Sequence, residues 1–499
     1  MFYLSTRNQK IQKTPAEAIL EGIAKDGGLY MPQSFENAKF PLEKLASLSN
    51  KEISATVLSL LFSGDDMFSK NINNKFEETL NAVSRAYDTK FDNEDFAPLA
   101  GVGDAYVMEL YHGPTCAFKD VALQLLPQLI ACAKEATGMT DEIVILTATS
   151  GDTGSAALSG FSNVDGVKII VFYPKKGISA VQERQMVSVD GKNTCVVSVN
   201  GNFDDAQSGV KNIFASLELP AGVQLSSANS INIGRLAPQV AYYFKAYRDL
   251  MAQGKIKMGD KVNFIVPTGN FGDILAGYFA KQMGLPVGQL VCASNENKVL
   301  TDFFENGEYD KNRAFHVTKS PSMDILISSN LERLLYLVCG AEKCAAYMAQ
   351  LKENGKYKLE KSELDAIRAE FDAGFTNDEE TLETIKAVYE KHGYLMDTHT
   401  AVAWSVYEKW AKESGNNDVS VVLSTASPYK FSSSVMNALG KSYTDEFDAL
   451  KKLNELTGAK IPGSLVNIEN KAVVHDITVE KDEMLSFVDK MVNTKIWRA

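Results

Sequence analysis

The spacing of apolar and polar positions changes at about residue 100. Before that point the period is helical. Pro15-Ala-Glu-Ala-Ile-Leu-Glu-Gly-Ile puts its apolar residues on one face of a short helix with Thr14 as N-cap, and Asp26-Gly-Gly-Leu-Tyr-Met-Pro32 ends it in a glycine-rich turn. Further helices are predicted over 52–62 and 75–87. From about residue 103 short apolar runs alternate with helical segments. Strands are predicted over 142–146, 167–173, 194–199, 261–266, 289–293 and 419–423, most of them followed by a helix. The loop 147–154 leads into a helix at 155–161, and a helix at 181–187 follows Pro174-Lys-Lys-Gly. Asp120, Val121, Ala122, Leu125, Leu126, Leu129 and Ile130 mark a largely apolar helix directly after Lys119. This alternation implies an α/β fold with parallel sheets, in which ligands sit at the carboxyl ends of strands. Between about 298 and 392 helical periodicity returns, with Leu331-Glu-Arg-Leu-Leu-Tyr-Leu-Val and the charged stretch 361–391 read as helices with solvated faces. The division that follows is a mainly helical unit at 1–100, an α/β core at 101–297 and 393–445, a helical insertion at 298–392 and a C-terminal cap at 446–499.

Composition narrows the function classes. The chain of 499 residues has room for two to four domains and a large core. A formal net charge of −12 excludes a nucleic-acid footprint or a basic membrane-binding surface, so an anionic substrate needs local basic groups. Six cysteines form no CxxC pair and no zinc-ligand pattern, which implies reduced thiols in a cytoplasmic protein and no metal site. No run of about 18 apolar residues occurs, and the start lacks an apolar stretch after a basic flank, so a soluble, untargeted protein is expected.

Candidate chemistry centres on Lys119. It lies near a predicted helix N-terminus, where the macrodipole disfavours a cation, and Ala117 and Phe118 would desolvate it. Such an amine is partly neutral and nucleophilic, the state that forms a Schiff base. Pro267-Thr-Gly-Asn-Phe-Gly-Asp273 lies between a strand and a helix; glycines at 269 and 272 let backbone N–H groups converge on an anion, with Asp273 expected as a helix cap turned away. Ser150-Gly-Asp-Thr-Gly-Ser155 is a second loop of this kind. Ser227-Ala-Asn-Ser-Ile-Asn-Ile-Gly-Arg-Leu236 runs into a helix, and taken alone Ser230 or Asn232 is its N-cap and Arg235 a surface side chain.

His112-Gly-Pro-Thr-Cys-Ala-Phe-Lys-Asp120 resembles the cofactor-lysine motif of the threonine synthases, which are fold-type II pyridoxal-phosphate (PLP) enzymes of the tryptophan synthase β-like architecture. The likeness continues through Ser150-Gly-Asp-Thr-Gly-Ser-Ala157, Ala228-Asn-Ser-Ile-Asn-Ile-Gly-Arg235, Pro267-Thr-Gly-Asn-Phe-Gly-Asp273 and Ser424-Thr-Ala-Ser-Pro-Tyr-Lys-Phe431, and the Gly-Gly-Leu-Tyr-Met-Pro segment matches the longer bacterial and fungal type. The resemblance implies two parallel-sheet α/β domains with a helical N-terminal domain and a helical insertion. It implies PLP held by Lys119, with Gly269, Asn270, Phe271 and Gly272 cradling its phosphate and the Thr425 hydroxyl at its ring nitrogen. It assigns Ser150, Thr153 and Ser155 to the substrate's α-carboxylate, and Asn229, Ser230 and Arg235 to a leaving phosphate, which suits arginine's planar fork. The implied reaction makes L-threonine and phosphate from O-phospho-L-homoserine and water; the alternative is a PLP-dependent lyase or β-replacement synthase acting on a related phospho-amino acid such as O-phosphoserine. Asp152, Ser427 and His399 receive no role, since many relatives carry Asn and His at the first two positions, and the oligomeric state stays open.

Overall fold

Thr14 and Ser49 open the first two helices, Pro15–Glu21 and Asn50–Leu61, each through a capping box in which the cap hydroxyl and Glu17 or Glu52 satisfy each other's backbone N–H groups. A computed structural model describes residues 1–68, 74–93 and 95–494; residues 495–499, the end of the expected cap, lie outside the described residues. The N-terminal unit also carries a small antiparallel sheet that helical periodicity did not reveal. Its strands are β1 (Tyr3–Ser5), β2 (Gln12–Lys13) and β3 (Tyr30–Pro32), in the order β2-β1-β3. The unit sits on the core through aromatic contacts: Phe40 stacks on Phe244 with centroids 4.2 Å apart, and Phe35 meets Phe279 edge-on at 4.8 Å.

Two sheets follow, built from β4 (Leu99–Val102), β5 (Ala105–Glu109), β6 (Glu142–Ala148), β7 (Val167–Pro174), β8 (Thr194–Asn200), β9 (Val223–Ser227), β10 (Val262–Pro267) and β11 (Val287–Ser294). The segment 298–392 is helical for much of its length, with a two-stranded ribbon of β12 (Glu308–Asp310) and β13 (Lys356–Lys358), and it also supplies β14 (Phe371–Phe375). Strands β15 (Val419–Ser424) and β16 (Ile477–Glu480) complete the set. The six-stranded sheet has the order β14-β11-β10-β15-β5-β4, parallel except that β4 runs against β5. The five-stranded sheet, β16-β8-β7-β6-β9, is parallel throughout. The helical insertion therefore adds an edge strand to one sheet, and the C-terminal cap adds one to the other. Both are short and half-polar, so neither produces the continuous apolar run of β7 or β10.

Central strands such as Val262–Pro267 are buried on both faces, as helices covering a parallel sheet require. The carboxyl ends of β5, β6, β9, β10 and β15 lead into the loops and helix starts that carry Lys119, Asp152, Arg235, Gly269 and Thr425. No helix among the described residues is long and apolar enough to cross a membrane.

Candidate active site

The Lys119 loop is fixed against the loop after β15. Leu110 N–H donates to Ser424 O (2.9 Å), Phe118 N–H to Thr425 O (2.8 Å) and Ser427 N–H to Cys116 O (3.0 Å). Cys116 takes a left-handed φ of 60° where the chain bends into the helix Lys119–Thr137, whose first residue is the lysine itself. The Asp120 carboxylate accepts from Thr115 N (2.8 Å) and Thr115 Oγ1 (2.7 Å), closing the turn. Gly113 is required there, because a Cβ would fall 2.4 Å from Asp120 Cβ.

Lys119 Nζ stands 3.4 Å from Asp152 Oδ2; Asp152 is buried and the Lys119 side chain nearly so, 12% exposed. Burial pulls the amine below the usual lysine range; Asp152 opposes this, and Lys430 and Arg235 reinforce it. Asp152 is the hub of the site. Its Oδ1 meets Lys430 Nζ (2.7 Å) and Gln182 Nε2 (2.8 Å), while its Oδ2 also accepts from Ser322 Oγ (3.0 Å). Burial alone would raise this carboxyl, but Lys430 and Lys119 hold it well below the usual carboxylate range. His399 joins from behind: its Nε2 accepts from Ser322 N (3.1 Å) and its Nδ1 faces Asp397 Oδ2 at 2.6 Å. Lys430, Gln182 and Ser322 received no role from the sequence. Lys430 lay inside a recognised motif, but nothing in the pattern marked its side chain as buried.

The loop before the helix Asp152–Phe161 needs glycine at 151, where φ is 136° and a Cβ would lie 2.6 Å from Gln182. Ser150 and Thr153 are half-buried at this turn. Ser155 is buried, and its hydroxyl donates to Gly151 O at 3.0 Å.

After β10, Phe271 adopts a left-handed φ of 63° as N-cap of the helix Gly272–Gln282. The first N–H groups of such a helix have no intrahelical acceptor. A Cβ on Gly269 would lie 2.7 Å from Ser322 O, so the loop closes only with glycine. Residues 320–330 wrap the cradle: Ser328 Oγ donates to Gly269 O (2.8 Å), and Asn330 N to Asn270 O (3.0 Å). Asp273, expected as a cap, lies instead in the first turn, where Oδ1 accepts from the Tyr242 and Tyr243 hydroxyls; desolvation pushes its carboxyl up to about 7. The same desolvation disfavours a full negative charge beside the helix start, where an anion would sit.

Asn232, not Ser230, caps the helix after β9, with Oδ1 accepting from Gly234 N at 2.9 Å. Asn229 and Ser230 are left half-buried beside it. Ser230 Cβ lies 3.7 Å from where a Cβ on Gly272 would stand, so this loop borders the cradle. Arg235 is not a surface side chain. It is 3% exposed, donates to Ala228 O, and its Nε has no hydrogen-bond partner. Burial lowers the guanidinium to about 10, which leaves it cationic at neutral pH with no carboxylate paired to it among the described residues. Thr425 is buried on the strand-end loop stitched to the Lys119 segment.

The arrangement offers a buried nucleophilic amine, an N–H cradle and an arginine lacking an anion. These features fit a group bearing both an aldehyde and a phosphate. Residues 92–426 match the family model described as pyridoxal-phosphate dependent enzyme, residues 2–80 that of the threonine synthase N terminus, and residues 400–472 that of the threonine synthase C-terminal region. Threonine synthase of Schizosaccharomyces pombe is 37% identical over 476 residues, covering 89% of this chain and 90% of that protein. Threonine synthase of Pseudomonas aeruginosa is 40% identical over 447 residues, covering 88% and 90%. The solved structure of PLP-bound threonine synthase from Brucella melitensis superposes with a TM-score of 0.86 at 37% identity, covering 99% of both chains.

Proposed function

The chain belongs to the threonine synthase family of pyridoxal-phosphate dependent enzymes, and from that premise we propose how its own residues turn O-phospho-L-homoserine and water into L-threonine and phosphate. The observation that carries the substrate assignment is Arg235, a buried guanidinium with an unsatisfied Nε and no paired carboxylate among the described residues, close enough to Lys119 to lower its amine. A leaving phosphate supplies the charge and the acceptor oxygens that such a group lacks.

Gly269, Asn270, Phe271 and Gly272 would hold the cofactor phosphate through backbone N–H groups at a helix start, where desolvation disfavours the charged form of Asp273. Thr425 would meet the ring nitrogen with a neutral hydroxyl. Bound PLP supplies an electron sink that stabilises negative charge on the carbons adjoining the amino group of its substrate. Ser150 and Thr153 bind the substrate carboxylate at the start of the helix Asp152–Phe161, and Ser155 shapes the same turn through its bond to Gly151 O. Lys119 would take the proton from Cα, pass it on to the bound cofactor and, as a free amine again, take the proton from Cβ, a role open to an amine that burial keeps below the usual lysine range. Asn229, Ser230 and Arg235 take up phosphate as the Cγ–O bond breaks. Lys119 delivers the Cβ proton to Cγ, the oxygen of water adds at Cβ while the proton it loses goes to the departing phosphate, and Lys119 returns the first proton to Cα.

Turnover of O-phospho-L-homoserine beside O-phospho-L-serine, with the amino-acid product identified chromatographically, tests this reading. Threonine from the first and little reaction of the second are expected. A preference for O-phosphoserine would replace it with a β-elimination or β-replacement enzyme.

A further inference from the structure

Two lysines, one fully buried and one largely so, share one carboxylate in this site. Lys430 is fully buried; its Nζ lies 2.7 Å from Asp152 Oδ1 and donates to Thr115 O at 2.8 Å. Lys119 Nζ reaches only Asp152 Oδ2, at 3.4 Å. Two ammonium groups against one carboxylate would leave a buried positive charge uncompensated, with Arg235 adding to it. The imbalance is relieved when one lysine gives up its proton. The backbone acceptor and the shorter contact belong to Lys430, and it is the Lys119 amine that burial pulls below the usual lysine range.

We propose that Lys430 is a positioning residue: by occupying Asp152 as its resident cation it leaves Lys119 as the free amine that captures the cofactor. The inference rests on Lys119 being the cofactor lysine. The other charged or titratable groups nearby are Arg235 beyond β9 and Asp273 on the cradle helix, which act on Lys119, and His399, Asp120 and Cys116 around the Asp152–Lys430 pair. Among the described residues only Asp152 is within ion-pair distance of Lys119 Nζ. Lys430 also ties the two halves of the site together, since it lies just after the Thr425 loop and bonds the carbonyl of Thr115 at the head of the lysine motif.

The test is the pH dependence of the rate at which full-length protein, stripped of cofactor, takes up added PLP, followed by growth of the visible band. In Lys430→Met the carboxylate is left to Lys119 alone, and the midpoint of the rate profile is expected to move alkaline by about one pH unit, a tenfold loss of free amine at fixed pH. Lys430→Arg keeps a cation on Asp152 and should restore the profile. An unmoved midpoint in Lys430→Met, or an Arg variant that behaves like Met, overturns the proposal. Should Lys430→Met fail to fold, Asp152→Asn is read instead: its midpoint must fall below that of the unaltered protein, and a midpoint at or above it overturns the proposal. Failure of the unaltered protein to form the band at all would instead overturn the cofactor role of Lys119.

Discussion

Replacing Arg235 by Met should separate activity from stability. The guanidinium is held at about 10 instead of 12.5 by burial. At 1.36 kcal/mol per pH unit that difference of 2.5 corresponds to about 3 kcal/mol spent on keeping a charge in a dry site. Met keeps most of the apolar stem and removes the charge. Among the described residues the bond lost is the one to Ala228 O, on the order of 1 kcal/mol. The free protein should therefore be as stable as before, or more so. Activity should move the other way. A hydrogen bond between charged partners contributes about 1.5–3 kcal/mol, so kcat/KM for O-phospho-L-homoserine should fall by about 10- to 160-fold. Inorganic phosphate, which raises the melting temperature of the unaltered protein by binding the folded state, should lose that effect in the variant. Phosphate release and thermal melts with and without phosphate read both quantities. Loss of activity accompanied by a lower melting temperature would refute the reasoning, because Arg235 would then be a structural residue. An unchanged kcat/KM would refute it from the other side.

His112 is raised to about 9: burial opposes its charge, but the flanking Asp92 and Glu109 carboxylates, at 3.1 and 2.9 Å, outweigh burial. Its contribution is fully present below pH 6.5 and lost as pH rises through about 9, so urea midpoints of the unaltered protein should fall across that window and those of His112→Gln should fall less. Asp273 is raised to about 7, which favours the fold below pH 3.8 and loses that advantage as pH rises through about 7; Asp273→Asn should raise the urea midpoint at pH 8 relative to the unaltered protein and by roughly a third as much at pH 5. Gly269→Ala forces a Cβ to within 2.7 Å of a backbone oxygen. Overpacking of that kind costs about 1–3 kcal/mol, read as weaker retention of PLP in equilibrium dialysis.

Much of the site was legible because its chemistry is tied to strand-to-helix turns. Gly269 and Gly151 announce close backbone approaches, and the apolar face after Lys119 announces a helix start. The helix Lys75–Tyr87 begins and ends where its periodicity places it. What escaped was set by tertiary contact. Strand β14 is five residues of Phe-Asp-Ala-Gly-Phe between charged helices, and nothing local says that it pairs with β11. Ser322 lies in a polar stretch that reads as a connection, yet it bonds Asp152 across 170 residues of chain. Asp152 received no role, because many fold-type II relatives carry Asn at this position, although Asp also occurs there in threonine synthases. Its reason is Lys430, 278 positions away (430 − 152), fully buried and needing an anion. Arg235 could not be told from a surface arginine by spacing, because a helix of four residues shows no reliable polar face.

The most direct test of the central claim is phosphate release and threonine formation from O-phospho-L-homoserine with PLP, comparing the unaltered protein with Lys119→Ala. The account predicts stoichiometric threonine and phosphate from the first, and neither turnover nor the visible band of lysine-bound PLP from the second. Sustained threonine formation by the Ala variant would contradict it.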